Sequence, residues 1–132
     1  MADNIQIEDG PILRLVRDAG AIVLVRSNVP QGGLSMHTEN NIWGVARNPY
    51  DEERSCGGSS GGEGGLVAAR CVPIGFGTDI GGSIRIPAHF NGIRGFRPSP
   101  WRMPQGHIGV LLNNFSYLGQ IKSCPGPLGH SV

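Results

Sequence analysis

The sequence predicts an α/β protein, and three observations carry that prediction. A helix-spaced apolar stripe is closed by Gly20 and followed at once by the continuous apolar run Ala21 to Val25, the pattern of a helix leading into a strand covered on both faces. Two glycine-and-serine nodes, Gly57 to Glu63 and Gly77 to Arg85, are joined by a short helical stretch and by the strand-like segment Ile74 to Thr78. The second node falls at the C-terminal end of that segment, where ligands gather in open α/β sheets. The order helix, glycine, strand argues for three layers, with helices on both faces of the sheet.

Taken in order, Gly10-Pro11 introduces Ile12, Leu13, Leu15 and Val16 at helical spacing, and Pro11 suits a first turn, so a helix is expected over 11–18. Ala21 to Val25 is the expected central strand, closed by a turn over Arg26 to Gln31 that Asn28 and Pro30 favour. Residues 32–50 show no periodicity but contain Met36, His37, Asn40, Asn41 and Trp43. Asn48-Pro49 and the charged run Asp51-Glu52-Glu53-Arg54 read as a solvated loop. Ser60 to Arg70, with Glu63 near its start and Arg70 at its end, reads as a short helix despite its glycines. Ile74 to Thr78 is a strand, Ser83 to Phe90 a turn or short helix, and Ile93 to Arg97 a strand ended by Pro98. A further strand is expected over Gly106 to Leu112, and a turn over Gly126 to Val132.

A length of 132 residues with 39% hydrophobic content supports one domain with a modest core. Twenty-two glycines need a reason, because glycine loses the most backbone freedom on folding. A flexible linker is one, but linkers are unpatterned, whereas these glycines flank Leu66-Val67-Ala68-Ala69 and Val72-Pro73-Ile74. Close approach of backbone to a reacting group is the better account. A net charge of +1 with scattered basic residues gives no footprint for nucleic acid or an anionic membrane. No run reaches the length of a membrane span. Cys56, Cys71 and Cys124 form no metal spacing and leave one unpaired, which points to a reducing, cytoplasmic setting, with Cys56 and Cys71 as small apolar fillers. His37, His89, His107 and His130 likewise lack metal-ligand spacing, so no metal and no organic cofactor is expected.

The run Gly57-Gly58-Ser59-Ser60-Gly61-Gly62-Glu63-Gly64-Gly65, followed by Gly77 to Pro87, resembles the amidase signature family. These serine hydrolases include fungal acetamidase-like enzymes, fatty-acid amide hydrolases and the bacterial glutamyl-tRNA amidotransferase A subunit. The resemblance is strongest over 19–102 and weak over 103–132. It implies a partial signature domain over 1–132, part of a three-layer α/β/α fold with a central mixed sheet, and hydrolysis of a small-molecule amide by a Ser-Ser-Lys mechanism. In that scheme Ser83 is the nucleophile, and the amides of Ile80, Gly81 and Gly82 face the developing oxyanion. Ser59 bridges nucleophile and lysine after a cis Gly58–Ser59 bond. Ser60, Asp79 and Arg85 orient the loops by hydrogen bonds; loop caps and a surface pair are the plainer account of the same residues. Met36 and Trp43 are candidates for the substrate side or, equally, for the core.

The lysine of that scheme lies upstream of the bridging serine in relatives, yet no lysine precedes Ser83 here, and the sequence's single lysine is Lys122. The expectation is a piece of a signature domain that starts after its base and has weak or no activity alone. The alternative is a pseudoenzyme acting as a non-catalytic interaction module. Acetamide-like, aryl and fatty acyl amides all stay open as substrates. Gly57 to Gly61 also fits the G-x-S-x-G elbow of α/β-hydrolases, but that motif needs a preceding strand, and Tyr50 to Cys56 is polar and acidic. Neither node is followed by the Gly-Lys-Ser/Thr of a phosphate loop.

Overall fold

The computed structural model describes residues 7–99 and 102, and the backbone of 118–122. The elements run α1 (Pro11–Asp18), β1 (Glu39–Asn40), β2 (Gly44–Val45), β3 (Arg47–Asn48), β4 (Asp51–Ser55), α2 (Gly61–Ala68), β5 (Ile74–Thr78), α3 (Arg85–Phe90), β6 (Arg94–Phe96) and β7 (Leu118–Lys122). Helix α1 matches its expected bounds, and β5 does so too. The strand expected over Gly106 to Leu112 and the turn over Gly126 to Val132 lie outside the described residues, as do Cys124, His107 and His130.

The largest sheet has the order β5-β7-β6, with β7 antiparallel to both neighbours and Thr78 opposite Leu118 at one end and Ile74 opposite Lys122 at the other. Helix α2 packs on β5 and on α3, and α3 packs on β6. Val67, Val72 and Ile84 form the buried core, with Leu66 and Ile93 against it. That core is small because α2 is built largely of glycine and alanine: its gain is close approach to β5 rather than apolar area.

Two sequence expectations are corrected. Ala21 to Val25 is not a strand in the described structure; Ile22 is 84% and Leu24 67% exposed. A continuous apolar run becomes a central strand only where a ladder partner and two covering layers exist, and the described residues supply neither. The same holds for the apolar stripe of α1, which buries no residue there. The charged run Asp51 to Ser55 is strand β4, not a loop. It pairs with β3 through Arg47↔Ser55 and Asn48↔Asp51, and its side chains stay at the surface, which is how a polar sequence forms a hairpin strand. Asn48 Oδ1 accepts the Tyr50 amide in the intervening turn. A strand therefore does precede the first node, but it belongs to an exposed two-stranded hairpin rather than to a central sheet.

The three α-helices of the described residues close in the same way. In each, two amides beyond the end reach back to carbonyls of the last turn: Gly20 and Ala21 to Arg17 and Val16, Arg70 and Cys71 to Val67 and Leu66, Gly92 and Ile93 to His89 and Ala88. This closure requires a left-handed residue, supplied by Gly20 at φ 85° and Gly92 at φ 63°, whereas α2 uses Arg70 at φ 61°. A side chain in that region costs about 1 kcal/mol relative to glycine. Arg70 is exposed and at the surface end of α2. Arg70→Gly is therefore expected to raise stability by about 0.5–1 kcal/mol in denaturant titrations, while Gly92→Ala lowers it.

Candidate active site

The two nodes lie at equivalent places, each between the end of a strand and the start of a helix. The first runs from β4 through Cys56, Gly57, Gly58, Ser59 and Ser60 into α2; the second runs from β5 through Asp79 to Ile84 into α3. Gly58–Ser59 is a cis peptide bond, as the resemblance implies. Ser60 joins the nodes. Its amide donates to the Ser83 carbonyl at 3.0 Å, and its hydroxyl accepts the Thr78 amide at 3.3 Å and faces the Thr78 carbonyl at 3.4 Å. The fit needs Gly77, since a Cβ there would run into Ser60 Oγ. Ser59 is buried, and Ser83 is half-buried.

The second node is wound around one carboxylate. The Asp79 side chain is fully buried and accepts the amides of Gly82 at 2.8 Å, Ile84 at 3.1 Å and Arg85 at 3.3 Å. The Arg85 guanidinium adds two bonds of 3.0 and 2.9 Å, and Arg97 Nε donates to the Asp79 carbonyl at 3.2 Å. Burial by itself pushes the Asp79 carboxyl up; the Arg85 guanidinium and the three amides outweigh it and hold the pKa at about 2. Arg85, its side chain 52% exposed, thus forms one half of a pair whose other half, the Asp79 carboxylate, is fully buried.

The Gly82 amide, one of the three expected to face an oxyanion, donates to Asp79 Oδ1 at 2.8 Å. The amides of Ile80 and Gly81 have no acceptor among the described residues, and a Cβ built on Gly81 meets nothing within 4 Å, so the loop presents an open backbone surface there. Met36 and Trp43 are 70% and 77% exposed, which removes the core reading among the described residues. The backbone of Ser35 to His37 lies against Gly58, whereas Trp43 sits in the β1–β2 turn, its amide donated to Asn40 Oδ1 at 2.8 Å.

Thr38, which the sequence reading passed over, completes the frame together with Asn28 and Asn40. Thr38 is fully buried, and its hydroxyl touches Gly57, Ser59 and Gly61 of the first node. Asn28 accepts the Gly62 amide through its carbonyl, and Asn40 bonds both the Asn28 side chain and, at 2.8 Å, the Val29 carbonyl. Asn28 and Asn40 were visible as polar residues in turn-like stretches; nothing in the pattern around Thr38 marked it. Glu63, in the first turn of α2, has its carboxyl pushed up by burial and partly drawn back by the Ser27 hydroxyl. Cys56 donates to the Arg47 carbonyl at 2.7 Å with its thiol pushed up to about 11 by burial, in keeping with a filler, but Cys71 is exposed. His37 bonds Ser55 Oγ at 2.7 Å and approaches Glu39 at 3.4 Å, and no cluster able to hold a metal exists among the described residues. A cavity of about 230 Å³ bordered by Pro30, Gln31, His37 and Asn40 includes neither node serine.

The Amidase family profile matches residues 1–132, the tail included. The acetamidase of Aspergillus oryzae is 48% identical over 124 residues, which is 94% of this chain and 22% of that protein. Fatty acid amide hydrolase 1 of Caenorhabditis elegans is 48% identical over 100 residues, covering 76% of this chain and 16% of that protein. Among solved structures, the A subunit of glutamyl-tRNA(Gln) amidotransferase from Thermotoga maritima superposes with a TM-score of 0.85 at 29% identity, over 91% of this chain and 26% of that one. The chain belongs to the amidase family and has its α/β fold. It spans about a fifth of the length of the curated relatives it matches.

The Asp79 frame has a pH signature. Its pKa in the folded state, about 2, lies below the ordinary value of 3.8, so the unfolded chain binds more protons in between. The stabilisation is complete above about pH 4 and is lost as pH falls through about 2. Asp79→Asn is expected to lower stability by about 2–3 kcal/mol, because an amide nitrogen would face donors where the second carboxylate oxygen accepted them. Denaturant titrations from pH 6 to pH 2 should show a slope below pH 4 in the parent chain and a flatter profile in the variant.

Proposed function

We propose that this chain carries the nucleophile side of an amide-hydrolysing site. Ser83 Oγ attacks the carbonyl carbon of a small linear amide; its proton passes to Ser59 Oγ, whose own proton goes on to an amine base. The amides of Ile80 and Gly81 stabilise the tetrahedral oxyanion, which collapses as the base returns its proton through Ser59 Oγ to the amide nitrogen and the amine leaves; water, giving a proton to the same base, then hydrolyses the acyl group and the Ser83 hydroxyl is restored. The observation that carries this reading is the hydrogen bond from the Ser60 amide to the Ser83 carbonyl, which brings the node bearing Ser59 against the node bearing Ser83. Family relatives act as acetamidases, indoleacetamide and fatty acid amide hydrolases by name, so the shared chemistry is cleavage of a carbon–nitrogen amide bond.

In this reading the base is an amine other than Lys122. Its backbone pairs with Ile74, four residues before the end of β5 that leads into the second node, about 13 Å away along a strand rising about 3.3 Å per residue. With no other lysine in the sequence, the chain alone is a site lacking its proton acceptor. That same observation supports a second reading, a non-catalytic module that keeps the loops without the reaction.

A fluorophosphonate probe separates the two. Slow labelling of the full chain at Ser83, mapped by mass spectrometry, is expected, with no turnover of a simple aryl amide. Ser83→Ala should abolish labelling, Ser59→Ala should slow it by about a hundredfold or more, and Lys122→Ala should leave it unchanged. Absence of labelling favours the non-catalytic module, and aryl amide turnover lost in Lys122→Ala would overturn the assignment of the base.

A further inference from the structure

We infer that Thr38 is the positioning residue for Ser59, a role that rests on the reading of Ser59 and Ser83 given above. The first amides of a helix lack partners within it, and a serine at the cap position ordinarily supplies one through its hydroxyl. Ser60 occupies that position, yet its hydroxyl makes no cap bond, because it is engaged with Thr78 at the end of β5. The capping is done from upstream instead: Thr38 Oγ1 accepts the Gly61 amide at 3.1 Å, and the Asn28 carbonyl accepts the Gly62 amide at 3.2 Å.

Thr38 does more than cap. Its hydroxyl proton lies between the Gly57 carbonyl at 2.9 Å and the Ser59 carbonyl at 3.3 Å. One fully buried oxygen therefore contacts the chain before Gly58, after Ser59 and at the first turn of the helix, so that Ser59 stands at the centre of its reach. The neighbouring backbone closes the remaining side. A Cβ on Gly58 would come within 2.5 Å of the Ser35 carbonyl oxygen and 2.9 Å of the His37 nitrogen, leaving the peptide no room to move that way. Thr38 is itself anchored independently of the node, its carbonyl accepting the Ala46 amide at 2.9 Å. Ser60 ties the node to Ser83 on one side and Thr38 holds it on the other. The backbone from which the Ser59 hydroxyl projects is held by the two together.

The test compares Thr38→Val, which keeps the shape and removes the hydroxyl, with Thr38→Ser, which keeps the hydroxyl and removes the methyl. In the full chain, two quantities are read: the rate of fluorophosphonate labelling at Ser83, and residue-resolved hydrogen exchange at Gly61 and Ser60, with the Ala69 amide inside α2's own hydrogen-bond ladder as control. Thr38→Val is expected to slow labelling and to speed exchange at Gly61, each by about tenfold or more, with Ala69 unchanged. Thr38→Ser should restore both. Equal labelling in parent and Val variant, or a Ser variant as impaired as the Val variant, overturns the role. If the parent chain does not label at all, the reading of Ser83 fails, and the exchange at Gly61 alone decides whether Thr38 holds the node.

Discussion

A single main-chain hydrogen bond, from the Ser60 amide to the Ser83 carbonyl, is the constraint on which the rest of this structure depends. It connects two loops that leave different strands and enter different helices, and it does so at the residue next to Ser59. A main-chain bond at this point has a geometric consequence that a side-chain bond would lack: it fixes the backbones from which both hydroxyls project, so their separation no longer depends on rotamers alone. The bond requires Ser60 to face β5, and that orientation diverts its hydroxyl from capping α2.

The apolar core is too small to hold two such loops by burial. Polar groups that are themselves buried hold them instead: the Asp79 carboxylate inside the second node, and the Thr38 hydroxyl beside the first. Each is satisfied by several partners, and a buried polar group contributes order only when it is so satisfied. The glycines complete the arrangement. A side chain on Gly58 would collide with the backbone of Ser35 to His37, one on Gly62 with the Asn28 backbone and one on Gly77 with the Ser60 side chain, so these glycines reflect close approach of neighbouring segments.

Much of this was legible in the residues. The bounds of α1 and β5, the helix after Ser60 and the pairing of the two nodes follow from periodicity, glycine placement and the family pattern. What escaped was of three kinds. Ala21 to Val25 reads as a central strand because an apolar run records the burial it is built for, while strand formation depends on a partner that lies elsewhere. Asp51 to Ser55 escaped in the opposite sense, since an exposed hairpin strand leaves little hydrophobic alternation to detect. Thr38 and the diversion of the Gly82 amide to Asp79 were invisible for a third reason: both are contacts between a side chain and main-chain groups, and such contacts leave no spacing in the sequence.

The most direct measurement of the central constraint is the scalar coupling transmitted across a hydrogen bond in a doubly labelled sample of the chain. A resolved coupling between the Ser60 amide nitrogen and the Ser83 carbonyl carbon is expected. A Ser60 nitrogen coupled to a different carbonyl, or one with no coupling and a freely exchanging proton, would contradict it and separate the two nodes.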